Sequence, residues 1–391
     1  MKTNVRIEAN VRLLVGVPLK KYSNLPKIFV SIVSETQAKV LINDPNQIEH
    51  LNSGEIINCQ SMMEIHEGSG HAIANFPDLQ LKKIYRGQRT SESVVEERFF
   101  LVFRTEFHRH GQAFNVLTLS LPVVVIVHGN QEPIAQAAVT WDNAFAENGS
   151  FFVPEEVPFV QVAEMLDMKW RSHCNTARGL TEDNIHYLGC KLFQNSNLTR
   201  EEMRSRLVSK TLLYRDCLPG RKFSFWKWFY MIMKLTKNHL DSPWSNGYII
   251  GFADKADVQA KLLQSNPGTF ILRFSDSELG GVSVAYVVQD NITGMRNVIM
   301  LEPFNAEKLS QHSLARSLHD LRVSMVYHES HPIPVETAFG RQSRNSSPPN
   351  NGYVGANLHV VPEFAVGNIG KVPMDTKKCK WVSIIPCCNF C

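Results

Sequence analysis

Apolar residues change their spacing along this chain, and the change divides it. Up to about Phe145, runs such as "VRLLVGV", "KIFVSIV", "AKVLIN", "RFFLVFRTEF" and "LSLPVVVIVHG" are apolar or alternating, separated by Gly, Pro and Asn. Several such runs at short intervals predict strands of a β-sandwich or barrel. From about Pro158 to Leu240 the spacing becomes three and four, in "VPFVQVAEMLDMKW", "TEDNIHYLGCKLFQ", "TREEMRSRLVSKTLL" and "SFWKWFYMIMKLTKNHL". That spacing predicts helices. Thr181 before Glu182 and Asp183, and Thr199 before Glu201 and Glu202, mark two helix starts. "SPWSNGYIIGF" ends this stretch. A helix over 255–263, a turn over 265–268, strands of a small antiparallel sheet and a second helix over 306–321 then predict a compact α+β module. Beyond Phe339, "GRQSRNSSPPNNGYVG" reads as exposed tail. No internal repeat is visible.

The 391 residues leave room for about two to four domains. Hydrophobic content of 43% and charged content of 20% are those of an ordinary globular protein. No apolar run approaches the roughly 20 residues that cross a bilayer, so no membrane insertion is expected. Arg6, Glu8 and Arg12 interrupt the apolar residues of the start, which excludes a signal peptide and predicts a protein of the cytoplasm or nucleus. Cys59, Cys174, Cys190 and Cys217 are scattered singly, as in a reducing compartment. A net charge of +4 permits nucleic-acid binding without arguing for it.

Catalytic and metal signatures are missing. "HEGSGH" over His66–His71 has one residue too many for the helical zinc motif, and its glycines oppose a helix. There is no P-loop, nucleophile elbow or kinase catalytic loop. Cys379, Cys387, Cys388 and Cys391 lack the paired spacing of a zinc site, and Cys388–Cys391 is a poor prenylation box. No enzyme, cofactor or metal is expected.

One residue asks for a ligand. In "GTFILRFSDSELGGVSVAYVV", Arg273 follows Phe270, Ile271 and Leu272 within a predicted strand, with no acid within two residues on either side. Burying its charge costs several kcal/mol unless a partner offsets it. A strand arginine ahead of the hydroxyls Ser275 and Ser277 suits a tetrahedral dianion, with Lys255 on the preceding helix closing the other side. Phosphate on a tyrosine fits, since the ring is long enough to reach a recessed arginine. A structural ion pair with Asp276 or Glu278 is the alternative.

The words around Arg273 resemble the SH2 domain of the STAT family, the signal transducers and activators of transcription. "SLPVVVIVHGNQEPIAQAAVTWDNAFAE" is similar to that family's DNA-binding domain. "RGLTEDNIHYLGCKLF" and "FWKWFYMIMKLTKNHLDSPWSNGYIIGF" are similar to its linker and SH2 entry. The likeness runs from "KTNVRIEANVRLLVG" to about Phe364, nearest the members that carry "VIVHG". It implies an all-β immunoglobulin-like DNA-binding sandwich over 1–147, an all-α linker over 148–240 and an α+β SH2 domain over 241–340. A phosphotyrosyl segment over 341–364 and a divergent tail over 365–391 follow.

The resemblance also implies a mechanism. A JAK-type kinase, acting in cytokine signalling, phosphorylates one tyrosine after the SH2 domain. Two chains then pair, as a homodimer or with another family member, each phosphotyrosine entering the other's SH2 pocket, and the dimer moves from cytoplasm to nucleus. The pocket would be Lys255, Arg273, Ser275, Ser277 and the amide of Asp276, and phosphorylated receptor tails would use it too. The phosphorylated residue would be Tyr353 in "NNGYVGANLHVVPEF", where Gly355 and Ala356 depart from the basic residue and proline frequent in relatives. Tyr327, in an apolar stretch, is expected in the core. The DNA target implied is a TTC…GAA palindrome. Charge toward its phosphates would come from Lys82, Lys83, Arg86, Arg89, Arg104 and Arg109, and His128, ending a 123–127 strand, would reach base edges. Glu96 and Glu97 match an acidic pair near the DNA in relatives and receive no base contact.

Relatives carry a coiled coil upstream and an activation domain downstream. The expectation is therefore either an incomplete sequence or a short isoform, one that would act as a dominant negative or as an SH2 adaptor without transactivation.

Overall fold

The structure is a computed structural model describing residues 1–13, 25–65, 72–86, 95–109, 112–147, 151–321, 323–328 and 331–340. It divides into two compact units, Met1–Pro154 and a second beginning at Glu155.

In the first unit, β1 (Arg6–Leu13), β3 (Gly54–Ile57) and β5 (Glu64–Ile65) all pair with the long β6 (Ala72–Ile84). A second sheet runs in the order β4 (Gln60–Met62), β2 (Lys27–Ser34), β7 (Phe99–Arg109), β8 (Gln112–Leu119). All these pairings are antiparallel. Side chains alternate between the faces of a strand, and β7 uses both. Phe99, Leu101 and Phe103 join Val30 of β2 and Phe76, Leu79 and Leu81 of β6 in the core shared by the two sheets. Phe100 and Val102 point the other way, into a second cluster with Val33, Ala38 and Leu41. The unit is a sandwich, as the alternating runs predict.

One of the runs expected as a strand is a helix. "AKVLIN" lies in α1 (Glu35–Asn43). The Ser34 hydroxyl accepts from the Gln37 amide and the Gln37 side chain accepts from the Ser34 amide, a reciprocal cap that fixes the helix start. Ala38 and Leu41, three apart, are its buried residues. A further helix of the unit, α2 (Glu132–Phe145), buries Pro133, Ala137, Ala138 and Trp141. Asp142 on α2 is buried and paired with Arg98. The run 123–127 is not a sheet strand but an extended segment with isolated bridges from Val123 to Phe99 and from Ile126 to Lys2.

The second unit contains α3 (Phe159–Cys174), α4 (Glu182–Phe193), α5 (Arg200–Arg204), α6 (Phe225–His239), α7 (Asp241–Ser245) and α8 (Lys255–Gln264). Thr181, Thr199 and Ser224 cap α4, α5 and α6 with their hydroxyls. "TREEMRSRLVSKTLL" is broken into the short α5 and a π-helical turn over Thr211–Arg215, because 207–209 leave the helix to form β10 (Leu207–Ser209) against β9 (Glu156–Pro158). The α+β part centres on β12 (Thr269–Phe274), parallel to β11 (Ile249–Gly251) and antiparallel to β13 (Gly281–Gln289). β14 (Arg296–Met300) and β15 (Phe304–Asn305) pair with β13. β16 (Met325–Val326) runs parallel to β12 and pairs with β17 (Ile333–Pro334), so the sheet is mixed rather than antiparallel. The helix expected over 306–321 is two, α9 (Ala306–Gln311) and α10 (Leu314–Asp320), because His312 is extended at φ −154°. Among the described residues no helix is long and apolar enough to cross a membrane.

The helical and α+β parts share one aromatic core. Trp170 of α3 is fully buried, 4.8 Å from Trp244, 5.6 Å from Phe252 and 5.4 Å from Phe274 between ring centroids. Arg178 stacks 4.1 Å over Trp244 and donates to the carbonyls of Trp244 and Ile249. The Asn184 amide donates to the carbonyls of Ile250 and Phe252. Position 240/241, expected as a domain boundary, is bridged by these contacts.

Candidate functional site

All six residues of β12 are buried, Arg273 among them at 3% exposure. Its cross-strand neighbours are Gly251 on β11, whose missing Cβ leaves space for the Asn184 side chain, and Ser283 on β13. Nη1 donates to the carbonyls of Ala253 (3.2 Å) and Phe274 (3.1 Å), and Nη2 donates to Asp276 Oδ1 at 3.2 Å. Of the two readings of this arginine, the structure shows the one that pairs it with Asp276. Asp276 is only half-buried, so this counter-ion lies at the mouth and not beneath the sheet.

The turn after β12 presents hydroxyls and amides together. Ser275 is buried, its Oγ accepting from the amides of Ser277 (3.3 Å) and Glu278 (3.1 Å) and lying 3.4 Å from Ser277 Oγ. Ser277 is exposed at the rim. Lys255 is exposed at the first turn of α8, after its cap Asp254. Arg273, Ser275, Asp276 and Ser277 thus form one constellation that offers a fork, hydroxyls and backbone amides to an anion. Tyr327, half-buried, packs against the cluster under α8.

A wall of this site comes from the helical part and was not legible in the sequence. The Trp228 indole on α6 donates to the Ser275 carbonyl at 2.8 Å. Gly280, at φ +63°, brings the turn so close that an added Cβ would lie 3.0 Å from the Met231 carbonyl. Lys191 on α4 stacks 4.6 Å over Trp228 and donates to the Asp276 carbonyl at 3.4 Å. Burial lowers the pKa of Lys191, opposed by Asp276 and assisted by Arg221 and Arg273. Burial raises the Asp276 carboxyl, but Arg273, its own amide and Lys191 together hold it below the usual carboxylate value. Burial also raises the nearby Tyr187 phenol.

In the first unit the expected DNA-facing cations differ in their surroundings. Lys82 and Lys83 are exposed at the end of β6, Lys83 lying 5.2 Å over the Tyr85 ring. Arg104 on β7 stacks 5.8 Å over Phe29 of the neighbouring strand. Arg86 is already engaged: it is paired with Glu97 and donates to the Val125 carbonyl at 2.8 Å. His128 is exposed, and the amides of Val127 and His128 both donate to the Gln131 side chain, which fixes the bend at the end of the extended segment. Arg109 ends β7; Arg89, Tyr353, His66–His71 and the C-terminal cysteines lie outside the described residues. Among the described residues no three His, Cys, Asp or Glu side chains cluster to hold a metal ion.

Comparison with known proteins finds three family models in succession. Residues 1–126 match "STAT protein, DNA binding domain" and residues 146–229 match "Signal transducer and activator of transcription, linker domain". Residues 248–321 match the SH2 domain. A Drosophila melanogaster protein described as "Signal transducer and transcription activator" is 40% identical over 381 residues, covering 92% of this chain and 48% of that protein. The chain therefore spans about half the length of this curated relative.

Proposed function

The chain belongs to the STAT family, the signal transducers and activators of transcription, and on that premise we propose that it is a DNA-binding transcription factor switched by tyrosine phosphorylation. Members of this family signal to genes and are not enzymes. In this reading a JAK-type kinase modifies Tyr353, and the phosphate enters the Arg273 pocket of a second molecule or of another family member. The same pocket docks on phosphorylated receptor tails. The resulting two-fold dimer reads a TTC…GAA palindrome through the first unit, having moved from cytoplasm to nucleus.

The observation that carries the reading is Arg273: a buried guanidinium at the head of a two-serine turn, whose one carboxylate partner among the described residues, Asp276, is partly exposed. A phosphate brings about −1.5 to −2 charges and three acceptor oxygens, more than one carboxylate offers. Reciprocal insertion makes the second contact intramolecular, so a dimer gains more than one contact alone would give.

The test is co-expression with a tyrosine kinase, followed by sedimentation and a gel shift with palindromic DNA. The phosphorylated protein should dimerise and shift the duplex, and Tyr353→Phe should do neither. Arg273→Lys should weaken binding of a phosphotyrosine peptide about 100-fold or more, the worth of two charge-assisted hydrogen bonds. Normal dimerisation by both variants would overturn the reading.

A further inference from the structure

Asp276 accepts from Nη2 of Arg273 at 3.2 Å, while Nη1 is taken by the Ala253 and Phe274 carbonyls. A phosphate that takes the guanidinium as a two-pronged fork through Nε and Nη2 competes with that carboxylate for Nη2. A displaced, half-buried carboxylate next to a dianion needs a new cation. Lys191 is that cation: its Nζ already lies 3.4 Å from the carbonyl of the same residue, held there by the face of Trp228. We propose that Asp276 and Lys191 form a counter-ion exchange built into the phosphotyrosine site: Asp276 neutralises Arg273 as the structure shows, and swings to Lys191 when phosphate takes Nη2. The inference rests on the phosphotyrosine reading of this pocket and adds two affinity-setting residues to it, one of them supplied by the linker helix α4.

The arrangement explains two features together. The Ala253 and Phe274 carbonyls do not neutralise the buried charge of Arg273, and Asp276 supplies a counter-ion that remains removable because its side chain is 24% exposed. A lysine that burial disfavours is kept over an indole beside the turn, where the displaced carboxylate restores a full ion pair. Lys191 is thus a positioning residue for Asp276 and need not touch the phosphate.

A double-mutant cycle separates this from a merely structural role. The full chain, expressed without a kinase, is titrated with a fluorescent peptide of residues 347–362 phosphorylated on Tyr353. Asp276→Asn keeps the side-chain shape and removes the competing charge, and should bind the peptide about fivefold more tightly than wild type. Lys191→Met should bind about fivefold more weakly in the wild-type background and cause no further loss in the Asp276→Asn background. Thermal melting of each variant checks that the fold is intact. Equal affinities for wild type and Asp276→Asn, or an equal loss from Lys191→Met in both backgrounds, would overturn the exchange alone. Absence of peptide binding by wild type and Asp276→Asn alike would overturn the reading of the pocket, and the exchange with it.

Discussion

Trp228 shows how much one atom can hold. Its Nε1 is the donor for the buried Ser275 carbonyl, and its ring carries Lys191. Trp228→Phe keeps an aromatic ring but leaves that carbonyl without its donor, at a cost of about 1–3 kcal/mol. Urea unfolding should show that loss, and phosphotyrosine affinity should fall with it because the turn is no longer fixed from behind. Unchanged stability and affinity would mean that the indole nitrogen is dispensable. Sequence periodicity places Trp228 on an apolar helix face. It does not say that the indole faces a turn 47 residues further along.

At the level of elements, the end of β6 separates cations that look alike in "LKKIYRG". Lys82 and Lys83 are exposed on the strand, whereas Arg86, just beyond it, is tied to Glu97 and the Val125 carbonyl. If Lys82 and Lys83 face DNA phosphates, changing either to Gln should reduce the slope of log affinity against log salt by about one. Arg86→Gln should leave that slope unchanged and lower stability by about 1–3 kcal/mol, because the Val125 carbonyl loses its charged donor. A salt titration of DNA binding, alongside melting curves, distinguishes the two sets. The same region shows why short apolar runs mislead. "AKVLIN" fits strand and helix alike, and the reciprocal Ser34–Gln37 cap, together with the cluster beneath it, decides for the helix.

On the scale of the molecule, the aromatic core around Trp170 makes the linker helices and the SH2 sheet one compact unit, distinct from the sandwich. Scanning calorimetry should therefore show the linker and SH2 parts melting together, in a transition separate from that of the first unit. A phosphotyrosine peptide at about 100 times its Kd should stabilise that shared transition by about 2.7 kcal/mol and leave the other in place. Separate melting of linker and SH2 parts, or a shift of the sandwich transition alone, would contradict this division.

The amino-acid sequence by itself determined the order of the segments and the kind of most of them, because alternation and three-to-four spacing are local consequences of which face is buried. It also marked Arg273 and its serines, since a charge in an apolar strand demands an anion. Tertiary structure alone decided that Asp276 is the carboxylate paired with Arg273, which arginine of the basic runs is already engaged with Glu97, and that Lys191 reaches a turn 85 residues away. Such choices depend on which elements pack together. Periodicity records that a face is covered, not what covers it.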